Sequence, residues 1–314
     1  MIESIKCRNV ITQKEITIEK SAKVFVLDEI DWDSPSISME NYRVPYQVGQ
    51  TLAGVTVGTR KPTVTGYVVV DTSKISSLGK KWSEYLKEQE QQIEESKIEL
   101  DKMFSVYQDV IIEANDYYII GRPTQPPKYS TKEKENNEIM CYFELEFECY
   151  SPLFYSTSKT VELATTVGEF HFPLIIPPEK VVFGKIMRRQ SINITNDGNS
   201  DVGCTIKVGA SGGVVKDPKI YNVNTGQFIS FDNVTLQDGD YITITTSIGE
   251  ENAIHHVAAT SIDVSLIGDI SVGSEFIQIK QGSNYYAYEV DEEYKNNIEV
   301  SIEFMERYFN IRGM

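Results

Sequence analysis

Between Cys141 and Cys149 the chain alternates strictly. Cys141, Phe143, Leu145, Phe147 and Cys149 fall on one face, and Tyr142, Glu144, Glu146 and Glu148 on the other. A period of two is that of a strand with one face in the core and one in water. Ile298, Val300, Ile302 and Phe304 alternate in the same way against Glu299, Ser301 and Glu303. Shorter runs at 24–27, 67–70, 117–120 and 241–245 are rich in β-branched and aromatic residues and bounded by Gly, Asn, Asp and Pro, which predicts further strands.

One segment departs from this pattern. Residues 79–114 are charged and lack Pro, and Trp82, Tyr85, Leu86, Ile93, Leu100, Met103, Phe104, Tyr107 and Val110 recur near helical spacing. They predict one long helix whose ends pack and whose Glu- and Gln-rich middle stands in solvent or meets a partner. The apolar seam of a coiled coil, sustained over three or four heptads, is absent. Residues 123–137, polar and Pro-bearing, predict an exposed, mobile loop between two strands.

The expected organisation is mainly β. An N-terminal β-barrel or sheet domain with the helix spans 1–160, a Pro-rich extended linker spans 161–185, and an antiparallel β-sandwich spans 186–314. In the last part, turn signals such as Asn196-Asp-Gly198, Asn224-Thr-Gly226 and Gln237-Asp-Gly-Asp240 separate short strands.

Charge narrows the partners. With 30 Lys and Arg against 46 Asp and Glu, the net charge is −16. Without a basic cluster, such a chain is repelled by phosphate backbones and anionic lipid, so neither nucleic acid nor a membrane surface is an expected partner. The opening residues lack the basic and apolar stretches of a secretion signal, and no stretch has the roughly 18 apolar residues of a membrane span. Synthesis and folding in the cytoplasm are expected. Cys7, Cys141, Cys149 and Cys204 are scattered, which predicts four reduced, mostly buried thiols and neither a disulfide framework nor a zinc site.

Candidate chemistry is thin. Glu144, Glu146 and Glu148 are spaced as a glycosidase pair could be, yet carboxylates on a wet strand face serve solubility equally well. His255 and His256, adjacent on a strand, point to opposite faces, and neither they nor His171 accompany a nucleophile turn. Asp28-Glu-Ile-Asp-Trp-Asp33 holds four carboxylates in six residues but lacks the Gly and closing Glu of a calcium loop. That stretch, continuing irregularly through Tyr42, Pro45 and Tyr46, has the aromatic content of a buried interface; equally, its rings could cover the open end of a barrel. Asp31, Trp32, Asp33, Tyr42 and Tyr46 are the candidate interface residues. No catalytic residues, metal or cofactor are expected, and a binding or assembly role is favoured over an enzyme.

Three passages together resemble the distal tail protein (Dit) family of tailed phages. They are Phe147-Glu-Cys-Tyr-Ser-Pro-Leu-Phe154, the crossing Gly168-Glu-Phe-His-Phe-Pro-Leu-Ile-Ile-Pro177, and the ordered turns from Ile194-Thr-Asn-Asp-Gly198 to Ile244-Thr-Thr-Ser-Ile-Gly249. The N-terminal half is similar more loosely, through Val48-Gly-Gln50, Thr59-Arg-Lys-Pro-Thr-Val-Thr65 and Tyr117-Tyr-Ile-Ile-Gly-Arg122. Segments 79–114 and 123–137 look longer than in compact members.

The resemblance implies a non-catalytic virion protein of the tail tip or baseplate. Its N-terminal domains would close into a homohexameric ring at the end of the tail tube, with DNA passing through the channel. Its galectin-like C-terminal domains would hold hub, baseplate or receptor-binding proteins. An alternative reading is a carbohydrate-binding module for host cell-wall glycan, with Tyr286 and Tyr288 as contacts. A cell-wall hydrolase is disfavoured, because no nucleophile or metal set is present.

Overall fold

The computed structural model describes residues 2–75, 81–132, 137, 139–168, 184–188 and 191–311. The chain divides into two compact units, residues 1–156 with 309–314, and residues 157–308.

In the first unit the strands are β1 (Ser4–Asn9), β2 (Glu15–Glu19), β3 (Phe25–Asp31), β4 (Ile37–Tyr42), β5 (Thr51–Val57) and β6 (Thr63–Val69). After helix α1 (Trp82–Met103) come β7 (Val110–Ala114), β8 (Tyr117–Pro123), β9 (Lys128–Tyr129), β10 (Met140–Glu148) and β11 (Phe154–Ser156). Seven of them close a barrel in the order β1-β2-β3-β6-β10-β8-β7, with β7 pairing back to β1. Strand β10 alternates buried and half-buried as its sequence predicts, and Phe143, Leu145 and Phe147 enter a core with Ile5, Val64, Val68, Ile112 and Ile119.

Phe143 lies opposite Gly66 across the β10–β6 pair. A Cβ on Gly66 would stand 2.4 Å from the Val26 carbonyl oxygen and 2.8 Å from the Phe143 ring. The backbone cannot yield there. Gly66→Ala is therefore expected to cost about 2–3 kcal/mol. Denaturant unfolding followed by tryptophan emission checks it, since Trp32 and Trp82 both lie in this unit.

The helix is shorter than 79–114. It ends at Phe104, whose N–H reaches the Leu100 carbonyl (2.8 Å), and the β-branched run from Val110 enters the barrel as β7. At its start Glu84 accepts the Lys81 N–H (3.2 Å), half of a capping box. Gln89, Ile93, Ser96, Leu100 and Met103, three or four apart, form its buried stripe. The expectation of a solvated middle and two packed ends is thus corrected: Ile93 buries the middle, while Trp82 is exposed and stacks on Tyr85.

The 123–137 stretch is also not wholly loop. Lys128–Tyr129 pairs with β10, and the Tyr129 hydroxyl bonds the Lys97 carbonyl (3.0 Å) and Asp101 (2.9 Å) on the helix.

The second unit contains β12 (Lys159–Gly168), β13 (Gly184–Arg188), β14 (Ile192–Asn196), β15 (Cys204–Ala210), β16 (Val215–Lys216) and β17 (Lys219–Asn222). It continues with β18 (Phe228–Ser230), β19 (Thr235–Leu236), β20 (Tyr241–Thr245), β21 (Asn252–Val257), β22 (Ile262–Ser265), β23 (Gly282–Glu289) and β24 (Ile298–Phe304). Two antiparallel sheets, β13-β12-β24-β15-β20-β21-β22 and β14-β23-β17-β18, enclose a second core. The 161–185 stretch, expected as a linker, begins inside β12, which pairs with β24; the Pro-rich part and His171 lie outside the described residues.

Candidate assembly interface

The stretch after Trp32, expected to be irregular, is a hairpin. Strand β4 pairs with β5 from Ile37↔Val57 to Tyr42↔Thr51, with a bulge between Glu40 and Asn41, and among the described residues neither strand pairs with any other. Its base closes through the Gly58 N–H to the Ser36 carbonyl (2.7 Å). At its tip Gln47 accepts from the Val44 N–H (3.2 Å) and donates to Thr51 (2.8 Å), while Gly49 takes the left-handed conformation the turn needs (φ 89°).

Cross-strand partners share a face, so Ile37, Val57, Met39 and Val55 make one apolar surface, opposite Ser38, Thr56 and Glu40. Ile37, Met39 and Val55 are exposed, as are Tyr42, Val44, Tyr46 and Val48 around the tip. A lone two-stranded hairpin is marginal in water, and one carrying an unpartnered apolar face and two free edges is built to be covered.

What holds the base is a buried arginine that the sequence reading passed over. Arg60 is fully buried (0% exposed). Its Nε donates to the Pro152 carbonyl (2.7 Å), Nη1 to the carbonyls of Trp32 (3.3 Å) and Asp33 (2.9 Å), and Nη2 to that of Phe309 (2.5 Å). The guanidinium also lies 4.6 Å over the Phe154 ring. Among the described residues no carboxylate lies within ion-pair distance of it; burial pushes its pKa down and carbonyl oxygens carry the compensation. Trp32, expected in the interface, is instead core at 4% exposure, edge-on to Phe154 at 5.0 Å. It closes that end of the barrel. Asp31 and Asp33 are exposed, and Tyr42 and Tyr46 stand on the hairpin.

The catalytic candidates resolve into structural pairs. Lys128 binds Glu144 (3.3 Å) and Glu146 (2.5 Å), and its hydrogen bond holds the Glu146 carboxyl below its ordinary value, the wrong direction for a general acid. His255 meets Asp240 (3.2 Å), whereas His256 meets Asp263 (2.5 Å) and Thr243 (3.1 Å) on the opposite face. Among the described residues no three His, Cys, Asp or Glu side chains converge as metal ligands. All four cysteines are free and buried, and burial pushes Cys7 and Cys149 up to about 12 and Cys204 to about 11. Among the described residues, no helix is long and apolar enough to cross a membrane. Tyr286, expected as a glycan contact, is core: it is 0% exposed and its hydroxyl donates to the Gln278 carbonyl (3.2 Å). Tyr288 is partly buried against the same core.

Among the described residues of the second unit, Asp240 and Glu306 are the buried acids. Burial pushes the Asp240 carboxyl up, but N–H groups of Ala258 and Gln237, with His255, hold it below its ordinary value. Glu306, also opposed by burial, is held low by Lys159, Tyr308 and the Asp197 N–H. A carboxylate depressed on folding contributes stability that is full above its unfolded value, about 4, and is lost as pH falls through its folded one. Calorimetry down to about pH 3 is expected to show the second unit weakening below about pH 4. Asp240→Asn should be less stable at neutral pH, with a flatter acid limb.

Residues 197–308 match the family model of the siphovirus-type tail component, C-terminal domain. The chain also superposes on the crystal structure of the Dit protein of phage SPP1, with 14% identity and a TM-score of 0.60, over 96% of this chain and 98% of that one. Two structures of the phage P2 baseplate in its activated conformation, with Ca and with Sr, align at 11% and 10% identity, with TM-scores of 0.48 and 0.47 over the same shares. No curated protein sequence matches. The family match covers a little over a third of the chain and lies within the second unit, which is thus similar to the C-terminal domain of siphovirus-type tail components. The chain as a whole has the fold of the SPP1 Dit protein.

Proposed function

We propose that this protein is the distal ring of a phage tail, in which six first units close a homohexamer at the end of the tail tube and the second units hold hub, baseplate or receptor-binding proteins. The carrying observation is the β4–β5 hairpin, an arm with an apolar face and two edges that pair with no other strand among the described residues. Such an arm and the surface receiving it make a heterologous contact, which closes into a ring when the rotation fits. The SPP1 protein of the same fold is described as the paradigm of a hub adsorption apparatus, which supports the placement. The net charge of −16 suits a channel that DNA must pass without adhering. In the glycan reading, a sugar platform at Tyr286 is opposed by that ring's burial.

Light scattering with imaging of the same fraction tests the proposal. The expected species has about six times the 35.6 kDa chain mass, near 214 kDa, and shows a central hole. A monomer at every concentration would refute it.

A further inference from the structure

Strand β3 carries a bulge between Leu27 and Glu29, where its register against β6 shifts. The extra residue breaks the alternation and turns two consecutive carboxylates, Asp28 and Glu29, outward. Asp31 and Asp33 follow, also exposed, and accept the main-chain N–H groups of Asp33 (2.9 Å) and Ser34 (2.7 Å). Beside them lies a cavity of about 700 Å³, lined by Ile2, Lys20, Asn310 and the run from Leu27 to Ser34. Among the described residues no cation stands within ion-pair distance of the four carboxylates. Trp32 forms part of the cavity wall, 4% exposed, with an indole N–H that has no acceptor among the described residues. The strand edge there is open as well. β2 meets β3 only at Glu19↔Val26, and beyond Val26 no strand among the described residues lies on that side.

We infer that this cavity is the docking site of a different protein, which lays an extended segment bearing Lys or Arg along the open edge of β3. The inference does not rest on ring closure. Each feature of the wall sets a requirement on the occupant. A free strand edge offers a row of N–H and C=O groups, which an added main chain satisfies. An unpartnered indole N–H calls for an acceptor, which a main-chain carbonyl supplies and an amine or a metal ion does not. Four carboxylates call for cations. On an extended segment alternate side chains stand roughly 6–7 Å apart on one face, so cations two residues apart reach the acidic wall together. A second copy of this chain is the wrong occupant, because every copy carries a net charge of −16. The matching partner is a protein with a locally basic strand or terminus.

The test uses the full chain with Trp82→Phe, which leaves Trp32 as its one tryptophan. The probe is a short acetylated peptide that alternates Lys or Arg with Val and Thr; its control has Glu at the cationic positions. With the cationic peptide, Trp32 emission is expected to move to longer wavelength and to saturate, as the indole N–H gains an acceptor. The Glu peptide should leave it unchanged. Glu29→Gln with Asp31→Asn should weaken binding about tenfold. Glu90→Gln with Glu99→Gln, at exposed positions of the helix, removes the same charge and should weaken it less than about twofold. Equal losses from the two pairs, or the same Trp32 shift with spermidine, would reduce the effect to a polycation on an acidic protein and overturn the inference. Saturable binding with Trp32 unmoved would overturn it too. If a ring-sized species refuses the peptide while a chain with residues 37–57 replaced by a short turn takes it, a second copy holds the site, and the inference falls with the ring reading standing.

Discussion

Arg60→Met is expected to lower the stability of the first unit by about 3–5 kcal/mol, among the largest effects of any single substitution in the chain. The methionine keeps much of the volume, so packing against Phe154 changes little. What is lost is donors: the carbonyls of Trp32, Asp33, Pro152 and Phe309 all accept from this one guanidinium. Buried acceptors without partners each cost about 1–3 kcal/mol, and relaxation toward solvent recovers part. Arg60→Lys is expected to recover only a fraction, because an ammonium on a flexible stem cannot reproduce the planar fork that reaches four carbonyls on three separate segments. Unfolding followed by tryptophan emission measures this unit alone. A loss below about 1 kcal/mol for the methionine variant would show that the four carbonyls find other donors. Hydrogen exchange supplies a second reading: freed from the clamp, the base of the arm, including the Gly58 amide, should exchange faster than in the parent protein.

The reason Arg60 was not legible in the sequence is instructive. In Thr59-Arg-Lys61 it reads as one of two ordinary surface cations, and nothing in the local pattern says that the barrel end closes over one and leaves Lys61 outside. For Trp32 the sequence leaves two readings, an interface ring or a cover for the barrel's open end, and the second holds because Phe154, 122 positions later, packs against it. Period-two strands such as β10 and β24 were legible, because alternation is local and reports which face is wet. Adjacent residues on a strand face opposite ways, so of Tyr285 and Tyr286 only one can be inside, and it is the partner sheet that selects Tyr286. The helix's C-terminal boundary was misread because β-branched residues from Val110 continue a helical spacing by coincidence, and barrel pairing with β1 and β8 overrides it. The arm was hidden for another reason. The bulge at Glu40–Asn41 breaks its alternation, so a hairpin with one apolar face reads as an irregular loop.

Replacing residues 37–57 by a short Gly-Ser turn is expected to abolish assembly while leaving the barrel folded. The ends to be joined are already adjacent, since the Gly58 N–H bonds the Ser36 carbonyl, and among the described residues β4 and β5 pair with no other strand. The barrel's stability should therefore change by less than about 1 kcal/mol, as for a removed surface loop. Association is another matter. A fully buried Val, Ile or Met side chain contributes about 1.5–3 kcal/mol, and the arm presents Ile37, Met39, Val55 and Val57 on one face. After the cost of ordering the contact, a loss on the order of 4 kcal/mol per interface is expected, roughly a thousandfold in the dissociation constant. A milder pair, Met39→Glu with Val55→Lys, keeps the hairpin length and puts charge on the same face. It should weaken assembly in the same direction, with a smaller effect because opposite charges pair across the strands. Sedimentation across concentration separates the outcomes. An arm-deleted chain that still sediments as the parent oligomer would move the ring contact to the barrel wall, whereas a folded monomer ties the contact to this face.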